Sequence, residues 1–254
     1  MSLISDFEIW LLFGVFALYQ LFKLDFWSAF CKKVVWKIKP VIISIEGNIG
    51  SGKTTLLNEL KEILKNNRQI VFIREPVDEW TNIVDLDGKS ILECFYKDSD
   101  KYAFSFQMLA GFTRLANLEL AIKNNPNAIV FITERSLETD RSVFAKMLYE
   151  SGSISDMDMQ IYIKWYKSFA TFKINKIIYV KTSPEVCYER VKQRSRVGEN
   201  TIPLEYLQQC DIYHEEMVTT KFMNIDKLLL DGNIDIYKNK EQLNEWVKEI
   251  YQFI

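Results

Sequence analysis

The stretch VIISIEGNIGSGKTTLLNELKEIL, residues 41–64, decides how this chain folds. Val41–Ile45 is a short run, nearly continuous in apolar residues, as expected of a strand buried on both faces of a parallel sheet. Leu56, Leu57, Leu60, Ile63 and Leu64 then recur at helical spacing, and Asn66-Asn67 offers a stop. Between strand and helix lies Gly47-Asn48-Ile49-Gly50-Ser51-Gly52-Lys53-Thr54, with Thr55 following, which matches G-x-x-x-x-G-K-[ST] in the context that motif requires. Glycines let backbone N–H groups close around phosphate oxygens, and the helix N-terminus adds partial positive charge. Lys53 would reach the β- and γ-phosphates of a nucleoside triphosphate, and the Thr54 hydroxyl would help hold Mg²⁺.

Working outward, four more β-branched or apolar runs alternate with helical stretches: Ile70–Ile73, Ile129–Thr133, Ile177–Val180 and Leu228–Leu230. This alternation predicts an α/β chain of the P-loop NTPase fold, a doubly wound five-stranded parallel sheet with helices on both faces. The composition agrees. Of 254 residues, 48% are hydrophobic and 26% charged, enough for a sizeable core. Thirty-two basic against 34 acidic residues leave a net charge of −2, so no global field favours a nucleic-acid partner. Cys31, Cys94, Cys187 and Cys210 are scattered, which argues against a disulfide scaffold and for a reducing compartment. His214 is the single histidine, and that excludes a His-rich metal site.

The first forty residues read differently. Ile9–Phe22 is apolar apart from Gln20, and Leu24, Phe26, Trp27, Ala29 and Phe30 carry the bias onward. The uninterrupted run falls short of the roughly 20 residues of a spanning helix. Asp6 and Glu8 ahead of it fit a signal peptide badly, and a first arginine at Arg68 fits a mitochondrial presequence worse. Lys32, Lys33, Lys37 and Lys39 form a basic flank that would keep the body on the cytosolic side. The expectation is a hydrophobic helical leader, residues 1–39, and a folded domain, residues 40–254. The leader either associates with a membrane through residues 9–30 or packs on a partner, and the protein is cytoplasmic, anchored or not.

Further motifs follow in chain order. The second strand ends at Arg74-Glu75-Pro76-Val77-Asp78-Glu79-Trp80; a carboxylate there sits where ligands bind in such sheets. Phe104-Ser105-Phe106-Gln107 precedes Arg114, and the third strand runs into Glu134-Arg135-Ser136, with Asp140 and Phe144 beyond. Arg190, Arg194 and Arg196 come before Glu199 and Ile202-Pro203-Leu204-Glu205-Tyr206-Leu207. In this order the series resembles the deoxyribonucleoside kinase family, from Val41 to Asp235.

That resemblance implies an ATP-dependent deoxynucleoside 5′-kinase of nucleotide salvage, with Mg²⁺ as cofactor and ATP as donor. Glu75 is similar to the general base that takes the proton from the 5′-hydroxyl, and Arg135 to the arginine that steadies both this carboxylate and the transferring phosphoryl. Glu134 is similar to an acid in the magnesium shell beside Thr54. Arg190, Arg194 and Arg196 resemble the arginines of a lid over ATP, and the segment Asp231–Asp235 only partly resembles the loop that holds the donor's adenine. For the acceptor, Tyr96 and Glu199 match residues that bind the sugar 3′-hydroxyl. Trp80, Leu92, Phe95, Phe106 and Phe144 match an apolar slot for the base, and Gln107 the amide that reads its edge. Phe104 is expected to be ordinary core.

Arg114 and Asp140 bear on the choice of base. The family's thymidine-accepting members lack this charged pair, whereas deoxycytidine, deoxyadenosine and deoxyguanosine kinases carry it. An ionised Asp140 can accept from an exocyclic amine and would meet the O4 acceptor of thymine unfavourably. Deoxycytidine is expected first, deoxyadenosine close behind, and thymidine to be a poor substrate. Ala110, four residues before Arg114, points the same way more weakly. Two rivals stand beside this reading: a nucleoside monophosphate kinase of related fold, and a kinase-like structural subunit of a membrane complex. The resemblance also implies a homodimer.

Overall fold

The computed structural model describes residues 39–194, 196 and 198–254. The leader's apolar stretch, residues 9–30, lies outside them. Among the described residues no helix is long and apolar enough to cross a membrane.

Pro40–Ile254 is one unit built on five parallel strands in the order β2-β3-β1-β4-β5. These are β1 (Val41–Glu46), β2 (Ile70–Ile73), β3 (Val130–Glu134), β4 (Lys176–Lys181) and β5 (Asp226–Asp231). Each contains the run that predicts it, because a strand covered on both faces needs an apolar residue at almost every position. The edge strand β5 departs from this, with Leu229 61% exposed. An edge strand has a neighbour on one side only.

The helices are α1 (Lys53–Ile63), α2 (Val77–Thr81), α3 (Ile91–Lys97), α4 (Ser99–Asn124), α5 (Leu137–Thr139), α6 (Lys146–Glu150), α7 (Asp156–Phe169), α8 (Pro184–Arg194), α9 (Leu204–Thr220) and α10 (Lys240–Phe253). A π-helical turn, Asp140–Ala145, joins α5 to α6. Leu56, Leu57 and Leu60 of α1 are buried with Ile43, Ile45, Ile178, Trp246 and Ile250, which fixes α1 and α10 to the sheet. The short α3 starts with a reciprocal cap, in which the Ser90 hydroxyl accepts from Glu93 N and the Glu93 carboxylate accepts from Ser90 N.

β1 lies between β3 and β4, so the strand order reverses around it and a crevice opens at the carboxyl ends of the strands. The loops after β1, β2, β3 and β5 all leave from that edge. This is how motifs far apart in sequence reach one place.

Candidate active site

A cavity of about 730 Å³ runs along this edge. Its phosphate-loop end is built by backbone conformations that side chains disfavour: Gly47, Gly50 and Gly52 have φ of 144°, 82° and 99°. At Gly47 a Cβ would also stand 2.5 Å from the Val180 carbonyl oxygen. Ile49, Gly50, Ser51, Gly52, Lys53, Thr54 and Thr55 line the cavity. Gly47 and Asn48, expected with them, instead support the loop from behind. Gly47 O accepts from Arg135 Nη1 at 2.8 Å. Asn48 Nδ2 donates to Leu207 O at 2.8 Å while its Oδ1 accepts from Ile49 N at 2.8 Å.

Lys53 Nζ bends back to Asn48 O at 2.6 Å. Burial first, and the Arg135 cation second, pull its pKa from 10.5 to about 7. An arriving triphosphate would restore the ammonium, so triphosphate binding is expected to take up a proton, approaching one per site as pH rises above about 7, and to weaken with rising pH. Calorimetry in buffers of different ionisation enthalpy measures this uptake. Lys53→Arg, whose guanidinium stays charged, should abolish it.

Glu75, just past β2, lies at the wall shared by the phosphate loop and the rest of the cavity. Its Oε1 is 2.9 Å from Arg114 Nη2 and 3.2 Å from Arg135 Nε. Burial would raise its pKa, but Arg135, Arg114 and Lys53 together outweigh burial and hold it at about 2. Glu75 is therefore a carboxylate at any working pH. Arg114 spans the site: Nε and Nη2 reach the two oxygens of Asp140 at 2.7 and 3.2 Å, and Nη1 donates to Glu134 O at 2.7 Å. A two-pronged fork of this kind selects the ionised carboxylate, although burial raises the Asp140 pKa. Thr54 Oγ1 donates to Glu134 Oε1 at 2.5 Å, which gives two side-chain oxygen groups next to the loop.

The other end is aromatic. Phe95 stacks on Phe106 with ring centroids 4.8 Å apart, and Trp80 meets Phe106 edge-on at 5.3 Å. Leu92, Tyr96, Gln107, Ala110 and Phe144 complete this part of the lining. Gln107 is 2% exposed, and its Oε1 has no hydrogen-bond partner among the described residues. A buried, unpaired amide oxygen facing a cavity is a group set up for a ligand. Phe104 is partly buried against the cluster containing Trp80 and Phe106 and does not line the cavity.

Over the phosphate end, Arg190 Nη1 donates to Gly232 O at 2.6 Å, tying α8 to the loop after β5. Arg194 Nε and Arg196 Nη1 both donate to the Glu199 carboxylate, at 2.6 and 3.1 Å. Asp235 lines the cavity with its Oδ1 accepting from Tyr237 N at 3.0 Å. Sequence reasoning missed Glu185, Val186, Glu189 and Gln193, which line the site from the face of α8 that also bears Arg190 and Arg194. Spacing alone finds them once those arginines are placed, since one helix face repeats every three to four residues. Tyr237, Lys238 and Trp246, also missed, come from the loop after β5 and from α10, and no motif marks them.

The deoxynucleoside kinase family model matches residues 43–254. The chain belongs to the deoxynucleoside kinase family. It is 35% identical over 218 residues to the "Probable deoxycytidine kinase" of fowlpox virus (strain NVSL), covering 84% of this chain and 87% of that protein. It is 33% identical over 236 residues to human deoxycytidine kinase, covering 82% and 89%. It is also 34% identical over 183 residues to mitochondrial thymidine kinase 2 of Macaca fascicularis, covering 71% and 65%. As a deoxynucleoside kinase it is an ATP-dependent phosphotransferase acting on the 5′-hydroxyl of a deoxynucleoside.

Proposed function

We propose that this kinase prefers deoxycytidine, with Glu75 as the general base, and that it works as a homodimer. The observation that carries the chemistry is the Glu75 carboxylate, held ionised between Arg114 and Arg135 where the phosphate loop meets the aromatic slot. The base lies between Phe95 and Phe106 on one side and Phe144 on the other, with Tyr96 and Glu199 toward the sugar 3′-hydroxyl. The 5′-oxygen attacks the γ-phosphorus; its proton passes to Glu75, and the bond from phosphorus to the β–γ bridging oxygen breaks with its electrons on ADP. Arg135, Lys53, Arg190, Arg194 and Arg196 face the charge spread over the phosphoryl oxygens, where most of the stabilisation in such a reaction arises.

The paired oxygens of Thr54 and Glu134 suit Mg²⁺, a hard ion that keeps few protein ligands and completes its shell with phosphates and water. Bound there, Mg²⁺ supplies neutralising charge to the triphosphate. Among the described residues no cluster of three or more His, Cys, Asp or Glu side chains could hold a metal ion alone.

For the base, Gln107 offers a donor and an acceptor side by side, and the Asp140 carboxylate beside it favours an exocyclic amine. The test is a panel of four deoxynucleosides with ATP. Deoxycytidine should lead in kcat/KM, and thymidine should trail by about 10²-fold. Thymidine use equal to deoxycytidine use would overturn the base assignment.

The dimer reading rests on apolar surface along α4 and α7, which touch where Gly111 meets the Trp165 ring. Phe112, Met157 and Ile161 lie close to that contact in sequence and are 60%, 74% and 53% exposed. Joint replacement Phe112→Asp and Ile161→Asp should convert a dimer to a monomer in light scattering.

A further inference from the structure

His214 has no part in the cavity, yet it touches a residue that does. It is wholly buried on α9. Its Nδ1 lies 2.7 Å from the Cys210 carbonyl oxygen. A carbonyl only accepts, so Nδ1 carries a proton. Its Nε2 lies 3.1 Å from Arg135 Nη1, and a guanidinium only donates, so Nε2 presents its lone pair. Both contacts are met by one species, the neutral ring protonated at Nδ1. Burial first, then the Arg135 cation, hold the imidazole pKa well below its usual 6.5, which keeps that lone pair available at neutral pH.

Arg135 needs such a hold. It is the one non-glycine residue with positive φ among the described residues, at 66°. Glu75 takes its Nε at 3.2 Å on the cavity side. Behind it stand Gly47 O, at 2.8 Å from the same Nη1, and the face of Phe144, 4.9 Å from the guanidinium carbon. A carboxylate in place of His214 would neutralise the guanidinium that the phosphoryl requires, and a lysine would repel it. A neutral acceptor does neither.

We propose that His214 is a positioning residue for Arg135, a neutral acceptor that sets the roll of the guanidinium so that Nε stays on Glu75. The inference rests on Arg135 acting on the transferring phosphoryl. The same helix also accepts Asn48 Nδ2 at Leu207 O, so α9 holds both the phosphate loop and the arginine within two turns.

Two variants and one spectrum test this. His214→Phe keeps a ring without the acceptor, and His214→Gln returns an amide oxygen near the place of Nε2. The Phe variant should lose about 10- to 100-fold in kcat, with nucleoside KM within about twofold, as expected for an interaction that orients rather than binds. The Gln variant should recover most of that loss. Equal losses in both variants would mean that the ring only fills space, and would overturn the proposal. Because the chain has a single histidine, ring-¹⁵N labelling of protein carrying no histidine tag reads its state without assignment. A protonated Nδ1 with an unprotonated Nε2 near neutral pH supports the proposal; an Nε2–H tautomer or an imidazolium overturns it. Failure of the wild-type chain to phosphorylate any deoxynucleoside would overturn the functional reading instead, and the nitrogen spectrum would still judge the histidine.

Discussion

Glu75→Gln is expected to lower kcat by about 10²- to 10⁴-fold while changing nucleoside KM only a few-fold. Glutamine has nearly the same shape and still offers an oxygen to Arg114 and Arg135, but it cannot take the proton from the 5′-hydroxyl. A carboxylate at about 2 is too weak to strip an alcohol before attack. Proton transfer therefore accompanies formation of the phosphorus–oxygen bond, when the alcohol has become acidic. As the triphosphate draws Arg135 and Lys53 toward its own charge, their hold on Glu75 loosens and the base strengthens. Thermal melts supply a control. The folded pKa lies below the ordinary 4.5, so ionised Glu75 contributes stability in full above about 4.5 and loses it as pH falls toward about 2. The melting deficit of the Gln variant should shrink in acid. A variant retaining kcat within threefold of wild type would remove Glu75 from the chemistry.

Asp140→Ala should carry the second large effect. Arg114 is 7% exposed, and losing Asp140 leaves most of its fork unpaired in the interior. Breaking a buried pair from one side costs about 3–5 kcal/mol, whereas replacing both members with apolar groups is often close to neutral. Arg114→Met with Asp140→Ala should thus recover most of the stability lost by Asp140→Ala alone, as read from denaturant midpoints. Substrate use should change in parallel. Without the carboxylate, deoxycytidine kcat/KM should fall by about 10²-fold, and its ratio to thymidine by at least about tenfold. Equal losses for the two nucleosides would show that Asp140 holds Arg114 and reads no amine.

What the sequence made legible was whatever is encoded locally. Strand periodicity marked all five strands, and the glycine loop between β1 and α1 announced itself because its turn demands glycines in conformations other residues avoid. Most site residues were legible because each stands in or near a motif at the end of a strand or on a helix face. Distances between side chains far apart in the chain were not. Nothing in spacing says that Asp140 gives both oxygens to Arg114, 26 residues away, or that Glu199 lies against Arg194 and Arg196. The left-handed backbone at Arg135 was equally hidden, since arginine is not a residue that advertises positive φ. His214 could be counted but not placed, because its importance comes from a neighbour 79 residues distant.

The π-helical turn at Asp140–Ala145 has an implication for how this cavity can change over time. Wide turns of this kind absorb one surplus residue within a helical path. Deleting a single residue there would let the segment rewind to ordinary helix and rotate everything after it by about 100°. Phe144 would swing off the wall it shares with Asp140, although every neighbouring letter of the chain were kept. At this corner the outline of the cavity is stored in chain length as much as in residue identity, so lineages can reshape it by indels that no comparison of matched letters would flag.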